Sequence, residues 1–518
     1  MVCREQVLYP ARRQKGESAL TAFRIPLAKP YSSRVSAVNA SDSTSGYIGV
    51  GIWGLFIFGK TTQATDKDAR FINCFPQTTT DPGRKELVGV DKRPGFGTQS
   101  TPASGQKGYA VMVWTGNSPG TSIISGFGEA NSTIYNGTSS LGAITGRVTG
   151  ITETQINGTP TLAVTSTNNT GWYADSGSMT EITDGDWPGD TETLAGTFAH
   201  MDGFALVMTT RARLWASDVN SITAWTANNF GAINAYPDIG VGAIRWRNFI
   251  MAFCQQHLEF WYNAGLSPFP LARANAMTQK VGAVSADAIA RIADTIFWCG
   301  TTPEGGMSIF QWDGNLSRVS PPEVEAIMIL AGASNISLST IRHFGRSFVY
   351  VKAGPTTAAY CIEEKFWFEV NSTTPLWYKV ASVMLGGTQV NYAVSNVSTS
   401  GKVYLQNHAS LVFTDDGVAY TMRIQTSPED EDTDRTKFYH DLSIVADTEA
   451  SASVLTIAAS DDDYATYSTL GTVDLSAARP LKLTGLGSAK QRAWALTHSS
   501  NTPVRLRRAE GNLTIGDH

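Results

Sequence analysis

The sequence predicts an all-β protein: an irregular β-propeller of six or seven blades, followed by a small β-sandwich. Three observations carry this expectation. Charged residues make up 16% of 518 and glycine is plentiful at 48, whereas soluble domains usually carry about 25% charge. This composition, rich also in Ser, Thr and aromatics, argues against a helical bundle or a disordered chain. Short apolar runs paired across polar turns recur every 40 to 55 residues or so, the length of a blade of four short strands. Helix signals are rare.

Residues 1–108 mix basic, Pro- and Ser-rich stretches with short apolar runs. The most apolar, YIGVGIWGLFIFG at 47–59, is shorter than the roughly 20 residues of a membrane span and reads as a buried strand or hairpin. Residues 1–15 lack the apolar core of a signal peptide. Paired strands begin at 109–114 with 122–127 and continue at 162–164 with 171–174, 204–208 with 213–215, and 249–253 with 258–262. Three further pairs follow: 295–299 with 308–312, 348–351 with 358–368, and 392–394 with 402–405. One blade cannot cover both faces of its own sheet, so neighbours must stack until a ring closes. The sustained spacing favours this over a row of sandwiches and sets a propeller at 109–426.

Two helical connectors are expected. Ser320-Pro321-Pro322-Glu323 has the pattern of a capping box with proline in the first turn; the other candidate is 285–293. The stretch SPEDEDTDR at 427–435 reads as a solvated acidic linker. It lacks the glycine-turned spacing of a calcium loop. Alternating strands at 438–446, 454–459, 492–497 and 503–507 then make 436–518 a β-sandwich.

A net charge of −5 leaves no basic footprint for tight nucleic-acid binding, although a weakly acidic wall lets a polyanion slide past. Arg505, Arg507 and Arg508 read as a solvated face or interface edge. The five cysteines, Cys3, Cys74, Cys254, Cys299 and Cys361, show neither a Cys-x-x-Cys pair nor a Cys/His ligand spacing that would indicate disulfides or zinc; a reducing cytosol is expected, with no metal and no cofactor. Catalysis finds no support either. The seven histidines are scattered, and no phosphate-binding or nucleophile motif is present. Asp294, Glu304 and Glu259 cannot be placed as a glycosidase pair; Glu259 is expected to be satisfied by a neighbour such as Arg247. The densest carboxylates are Asp415-Asp416 and Asp461-Asp462-Asp463. The latter lie in a degenerate Asp-box, a turn-bracing motif. Aromatic residues read as core and interface rather than sugar platforms. The rival reading is a propeller glycosidase, depolymerase or lectin acting on host surface glycan.

The succession Pro237-Asp238-Ile239-Gly240, Ile244-Arg245-Trp246-Arg247-Asn248-Phe249-Ile250, Leu258-Glu259-Phe260, Gln279-Lys280-Val281-Gly282 and Val319-Ser320-Pro321 resembles the packaged-DNA stabilisation protein, or tail hub (nozzle), of short-tailed bacteriophages. Asn73-Cys74-Phe75-Pro76 and Arg93-Pro94-Gly95 look like its N-terminal tag and turn. The positions carrying the resemblance are Asn73, Pro76, Arg93, Pro94, Gly95, Pro237, Trp246, Phe249, Glu259, Gln279, Lys280, Gly282 and Pro321. The resemblance implies a non-enzymatic virion protein assembled in the host cytoplasm into a ring, usually a hexamer, beneath the portal and adaptor rings. The N- and C-terminal parts would together form a sandwich-like platform. The channel would retain packaged DNA behind a plug or needle, pass it without sequence-specific contacts, and carry fibres or spikes outside; no membrane insertion is implied. Such a ring joins two different faces of each subunit.

Overall fold

The computed structural model describes residues 20–25, 70–78, 87–114, 116, 122–156, 158–175, 177–301, 305–343, 345–372, 377–431 and 433–516. The expected hairpin at 47–59 lies outside the described residues, as do Cys3 and Glu304. Six antiparallel units of four strands, plus a seventh that heads a longer sheet, follow one another along the chain. Their innermost strands are Gly108–Trp114, Val148–Ile156, Leu194–Met201, Gly240–Trp246, Ile289–Ile292, Ile336–His343 and Trp377–Leu385. The first touches the last, so the series closes into a ring.

Within a unit the second and third strands lie between neighbouring sheets, so both their faces are apolar, the pattern of strands buried on both sides. Ile250, Met251, Ala252, Phe253 and Cys254 run consecutively with no exposure at all. The innermost strands are built differently, with polar and charged residues among the apolar ones, as in VTGITETQI at Val148–Ile156 and ISLSTIRH at Ile336–His343. In five of the seven units the innermost strand is irregular where it meets the second, with register shifts at Gly108/Ala110, Val148/Gly150, Ala195/Ala199, Gly240/Gly242 and Trp377/Val380. Such bulges turn a strand sharply and bring backbones close. At Gly150 a β-carbon would sit 1.8 Å from the Thr197 methyl, leaving room for nothing larger.

Closure is made by a strand from ahead of the ring. Gly97–Ser100 precedes the first unit but pairs with Val403–Asn407 as the fourth strand of the last one. The remaining strands form a sandwich from both ends of the chain. One sheet orders Cys74–Thr78, Leu87–Lys92, Arg505–Ile515, Lys437–Ala446 and Leu481–Thr484, with Leu20–Ile25 also on Arg505–Ile515. The other runs Arg70–Ile72, Met422–Gln425, Ala493–His498, Val454–Ser460 and Ser468–Asp474. Val90, Ile424, Leu442, Leu455, Leu496 and Leu513 fill the space between them. Arg70–Ile72 also pairs in parallel with the last strand of the sixth unit, Phe366–Val370, so that the propeller and sandwich share one continuous sheet.

Three local expectations are corrected. The helix spans Pro322–Ala331 with Pro321 at its N-cap and no side-chain cap. It starts one residue too late for a Ser320–Glu323 box, so Ser320 Oγ instead accepts from Ile309 N (2.9 Å) and pairs with Glu325 (2.6 Å). Residues 285–293 hold a 3-10 turn at Ala286–Ala288 and then the strand Ile289–Ile292, because that segment supplies the innermost strand of the fifth unit. The acidic stretch is not simply solvated: Glu429 exchanges two backbone hydrogen bonds with Arg492 (3.0 Å each), and burial, reinforced by Glu431 and Asp430, pushes its carboxyl up to about 8.

Candidate functional sites: axial cavity, buried junction and fourth-unit cluster

The innermost strands enclose an axial cavity of about 490 Å³. Carbonyls on this rim face no partner strand, so side chains of a neighbouring unit satisfy them. Thr152 donates to Phe198 O (3.0 Å), Thr165 to Gly196 O (3.0 Å), Arg291 to Arg245 O (3.3 Å), Thr340 to Arg291 O (3.1 Å) and Asn391 to Arg342 O (2.9 Å). The Ser/Thr richness of the sequence thus serves closure of the ring. Arg245, Arg291 and Lys379 line the cavity with Glu153 and Asp287. The carboxylates are engaged: Asp287 lies 3.2 Å from Lys379 Nζ, and Glu153 accepts from Gly116 N at 2.9 Å.

A second site lies where the N-terminal segment threads between propeller and sandwich. Asn73 adopts φ 56° because its amide is used on every side. Its Nδ2 donates to Asn371 O and Thr421 O (2.7 Å each), and its Oδ1 accepts from Arg93 Nε (2.7 Å) and Asn371 N (3.0 Å). Arg93, 2% exposed, makes a forked pair with Asp415 (2.5 and 3.1 Å) and stacks 3.9 Å from the Tyr420 ring centroid. Bidentate geometry is what makes a buried guanidinium–carboxylate pair tolerable. Tyr420 in turn donates to Arg93 O. Asp416 binds Lys402 (2.7 Å). The Asp415-Asp416 pair therefore anchors two basic residues. Pro76 is buried, Pro94 O accepts from Gln406 (3.2 Å), and Gly95 packs its Cα against Thr414 O, where a β-carbon would stand 2.0 Å away.

The third site is the fourth unit. His257 Nδ1 lies 3.0 Å from Asp238 Oδ2, and its Nε2 lies 3.7 Å from Glu259 Oε1. Burial disfavours the charged imidazole, but the Glu259 and Asp238 carboxylates outweigh it and hold its pKa above the usual value. Glu259 is fully buried and accepts from Ala235 N (2.8 Å) and Arg273 (3.2 Å). Its partner is Arg273, not Arg247, because Arg273 lies on the adjacent fourth strand while Arg247 turns outward to Asp294 (3.1 Å). Gln279 exchanges two 3.0 Å backbone bonds with Leu258, Lys280 lies over the Tyr236 ring, and Gly282 abuts Gln255. Pro237 is exposed beside this group. Trp246 and Phe249 stack on one another, and Trp246 donates to Asp294 O (2.7 Å), tying the fourth unit to the fifth. Pro321 stands apart at its helix N-terminus.

Of the other sequence candidates, Ser460 and Asp462 brace their turn as an Asp-box does: Ser460 donates to Asp462 (2.8 Å), and Asp462 accepts from Thr466 N (2.9 Å). Arg505, Arg507 and Arg508 each meet an acid, at Asp91, Asp447 and Glu510. Sequence reasoning missed Asp415 as the partner of Arg93, since 322 residues separate them. It also passed over Cys254-Gln255-Gln256-His257, a Cys-x-x-His spacing visible in the sequence.

A closed ring of four-stranded sheets, spliced to a sandwich and braced by buried ion pairs, defines a β-propeller protein. The chain belongs to the phage stabilisation family described as bacteriophage P22 Gp10, beta-propeller, whose model matches residues 130–404. Membership makes it a structural protein of the phage tail and DNA-stabilisation class, the class the resemblance implied. No individually curated protein matches the sequence. Among solved structures, Raptor of Chaetomium thermophilum is similar at 11% identity over 60% of this chain and 28% of that chain, with a TM-score of 0.38. The chain thus spans under a third of that protein's length, and the likeness bears on no function. Among the described residues, no helix is long and apolar enough to cross a membrane.

Proposed function

We propose that the protein is the tail hub, or nozzle, of a short-tailed phage: a homo-oligomeric ring, a hexamer by family analogy, seated below the portal and adaptor rings. It retains packaged DNA behind a plug or needle and becomes the conduit for ejection. The observation that carries this reading is the family match across the propeller, joined to a sandwich built from both chain ends that can serve as the ring-forming platform. A net charge of −5 suits a lumen that lets DNA slide, since a weakly acidic wall releases no counterions on contact. The propeller's own axial cavity, with its three basic residues, is a separate space from that lumen. Retention is then a mechanical block. Electron microscopy of the purified chain mixed with its portal–adaptor complex tests this. A ring of density below the adaptor is expected. A chain that stays monomeric and unbound in that mixture refutes it.

A further inference from the structure

We infer that Asp238, Cys254 and His257 form a binding site for a borderline-soft divalent cation, zinc by its ligand set, stapling the loop before the fourth unit to the hairpin turn inside it. One ligand atom of each residue lies within 4.8 Å of the others. Thiolate, imidazole and carboxylate together suit zinc, with a fourth position left for solvent. On a tetrahedral zinc ion such atoms stand about 3.4–3.6 Å apart, so closing the site needs only rotamer-scale movement.

The backbone already holds the three residues together. Cys254 N donates to His257 O (2.8 Å), making the tight Cys-x-x-His turn. Gln255 N donates to Ile239 O (3.0 Å) and Gln256 N to Asp238 Oδ2 (2.6 Å), latching the loop onto that turn.

One observation at the site points to a missing ligand, and a second, behind it, shows a carboxylate oxygen and an imidazole nitrogen left unpaired. Cys254 is fully buried, yet its thiol donates to nothing among the described residues. The other described cysteines all find an acceptor: Cys74 at Arg423 O, Cys299 at Met328 and Cys361 at Glu363. His257 is 1% exposed, and its Nε2 has no hydrogen-bond partner; neither does Glu259 Oε2. A metal on Nδ1, the nitrogen beside Asp238, fixes the proton on Nε2, where it faces Glu259. That is the carboxylate–histidine–metal arrangement that orients a ligand and raises its basicity. Ala235 N and Arg273 position Glu259 for this role. Binding expels the thiol proton to solvent. A plain Asp238–His257 hydrogen bond accounts for two of the residues and leaves the Cys254 thiol unexplained.

The test uses the full chain, dialysed against metal-free buffer and titrated with zinc, then with cobalt(II). The site predicts one zinc per chain by elemental analysis and a thiolate-to-cobalt charge-transfer band that saturates at one equivalent. Cys254→Val preserves the packing of a small buried side chain and must abolish the band, whereas Cys299→Val leaves it intact. Glu259→Gln weakens zinc affinity by roughly 10- to 100-fold. Failure of the folded chain to take up either metal overturns the proposal, as does a band that survives Cys254→Val.

Discussion

Buried charges dominate at the scale of single residues. Arg93 and Asp415 are 2% and 1% exposed, so both have lost their hydration, and the pair stands only because each group's hydrogen bonds are met. Asp415→Asn is therefore expected to destabilise the protein by about 3–5 kcal/mol, because it strands a buried guanidinium; urea unfolding measures this. Replacing Arg93 and Asp415 together by Met and Leu is expected to recover most of the loss. His498 gives a pH signature. Held between Lys92 (3.4 Å) and Ser453 (2.9 Å), it is pushed down to about 4 by burial and then by Lys92. The unfolded chain takes up this proton near pH 6.5, which the folded one refuses until about 4. Stability is thus complete above pH 6.5 and falls as the pH drops through that window, by up to about 3 kcal/mol. His498→Asn should lose less between pH 7 and 4.5 in the same measurement.

At the scale of elements, the strand Gly97–Ser100 decides whether the ring stays shut. Its approach is held by the turn at 101–106 against Gly401, where Gly401 N donates to Gln106 O (2.8 Å). Gly401 has φ 62°, and a β-carbon there would lie 1.7 Å from Ala103 O. Gly401→Ala should destabilise by about 2 kcal/mol or more through backbone strain and overpacking together. Hydrogen exchange should then quicken in Thr388–Ser395 and Val403–Asn407, the strands nearest the closure. The acidic stretch carries a prediction of opposite sign. Glu429 is protonated in the folded state up to about pH 8 but ionises near 4.5 when unfolded, so its contribution is present below 4.5 and is lost as pH rises to 8. Glu429→Gln should flatten that decline in thermal melts taken between pH 5 and 9.

Across the whole molecule, the shared sheet couples the two parts. Ile72 pairs with Glu369 of the propeller on one side and Arg423 of the sandwich on the other, and Arg70 bonds Glu369 (2.5 Å). Neither part can lose this strand without exposing edge hydrogen bonds of the other. Calorimetry should accordingly show propeller and sandwich unfolding in one transition; two well-separated transitions would contradict the coupling. The coupling also means that displacement of the sandwich is transmitted to the sixth unit.

How far the sequence was legible depended on burial. The paired runs read from it fall on the second and third strands of units two to seven, because strands covered on both faces must be continuously apolar. In the first unit they fall on the first and second. The other innermost strands escaped notice: Val148–Ile156 and Leu194–Met201 intersperse Thr, Gly and charged or polar residues among apolar ones, and Thr152 bonds across to the next unit. The site residues show the same division. Asn73, Arg93, Glu259, Gly282 and Asp415 stood out by type and local context, but the pairing of Asp415 with Arg93 did not, nor did the partners Arg273 and Gln255.

The sequence by itself determined the all-β class, the recurrence of the units and the family, since these follow from composition, local hydrophobic pattern and short motifs. Only the tertiary structure decided that residues 97–100 close the ring, that residues 70–72 splice the two parts together, and that Asp238, Cys254 and His257 meet. The physical reason is that strand edges and buried charges are satisfied by whichever groups the fold brings near, and separation along the chain places no limit on which those are.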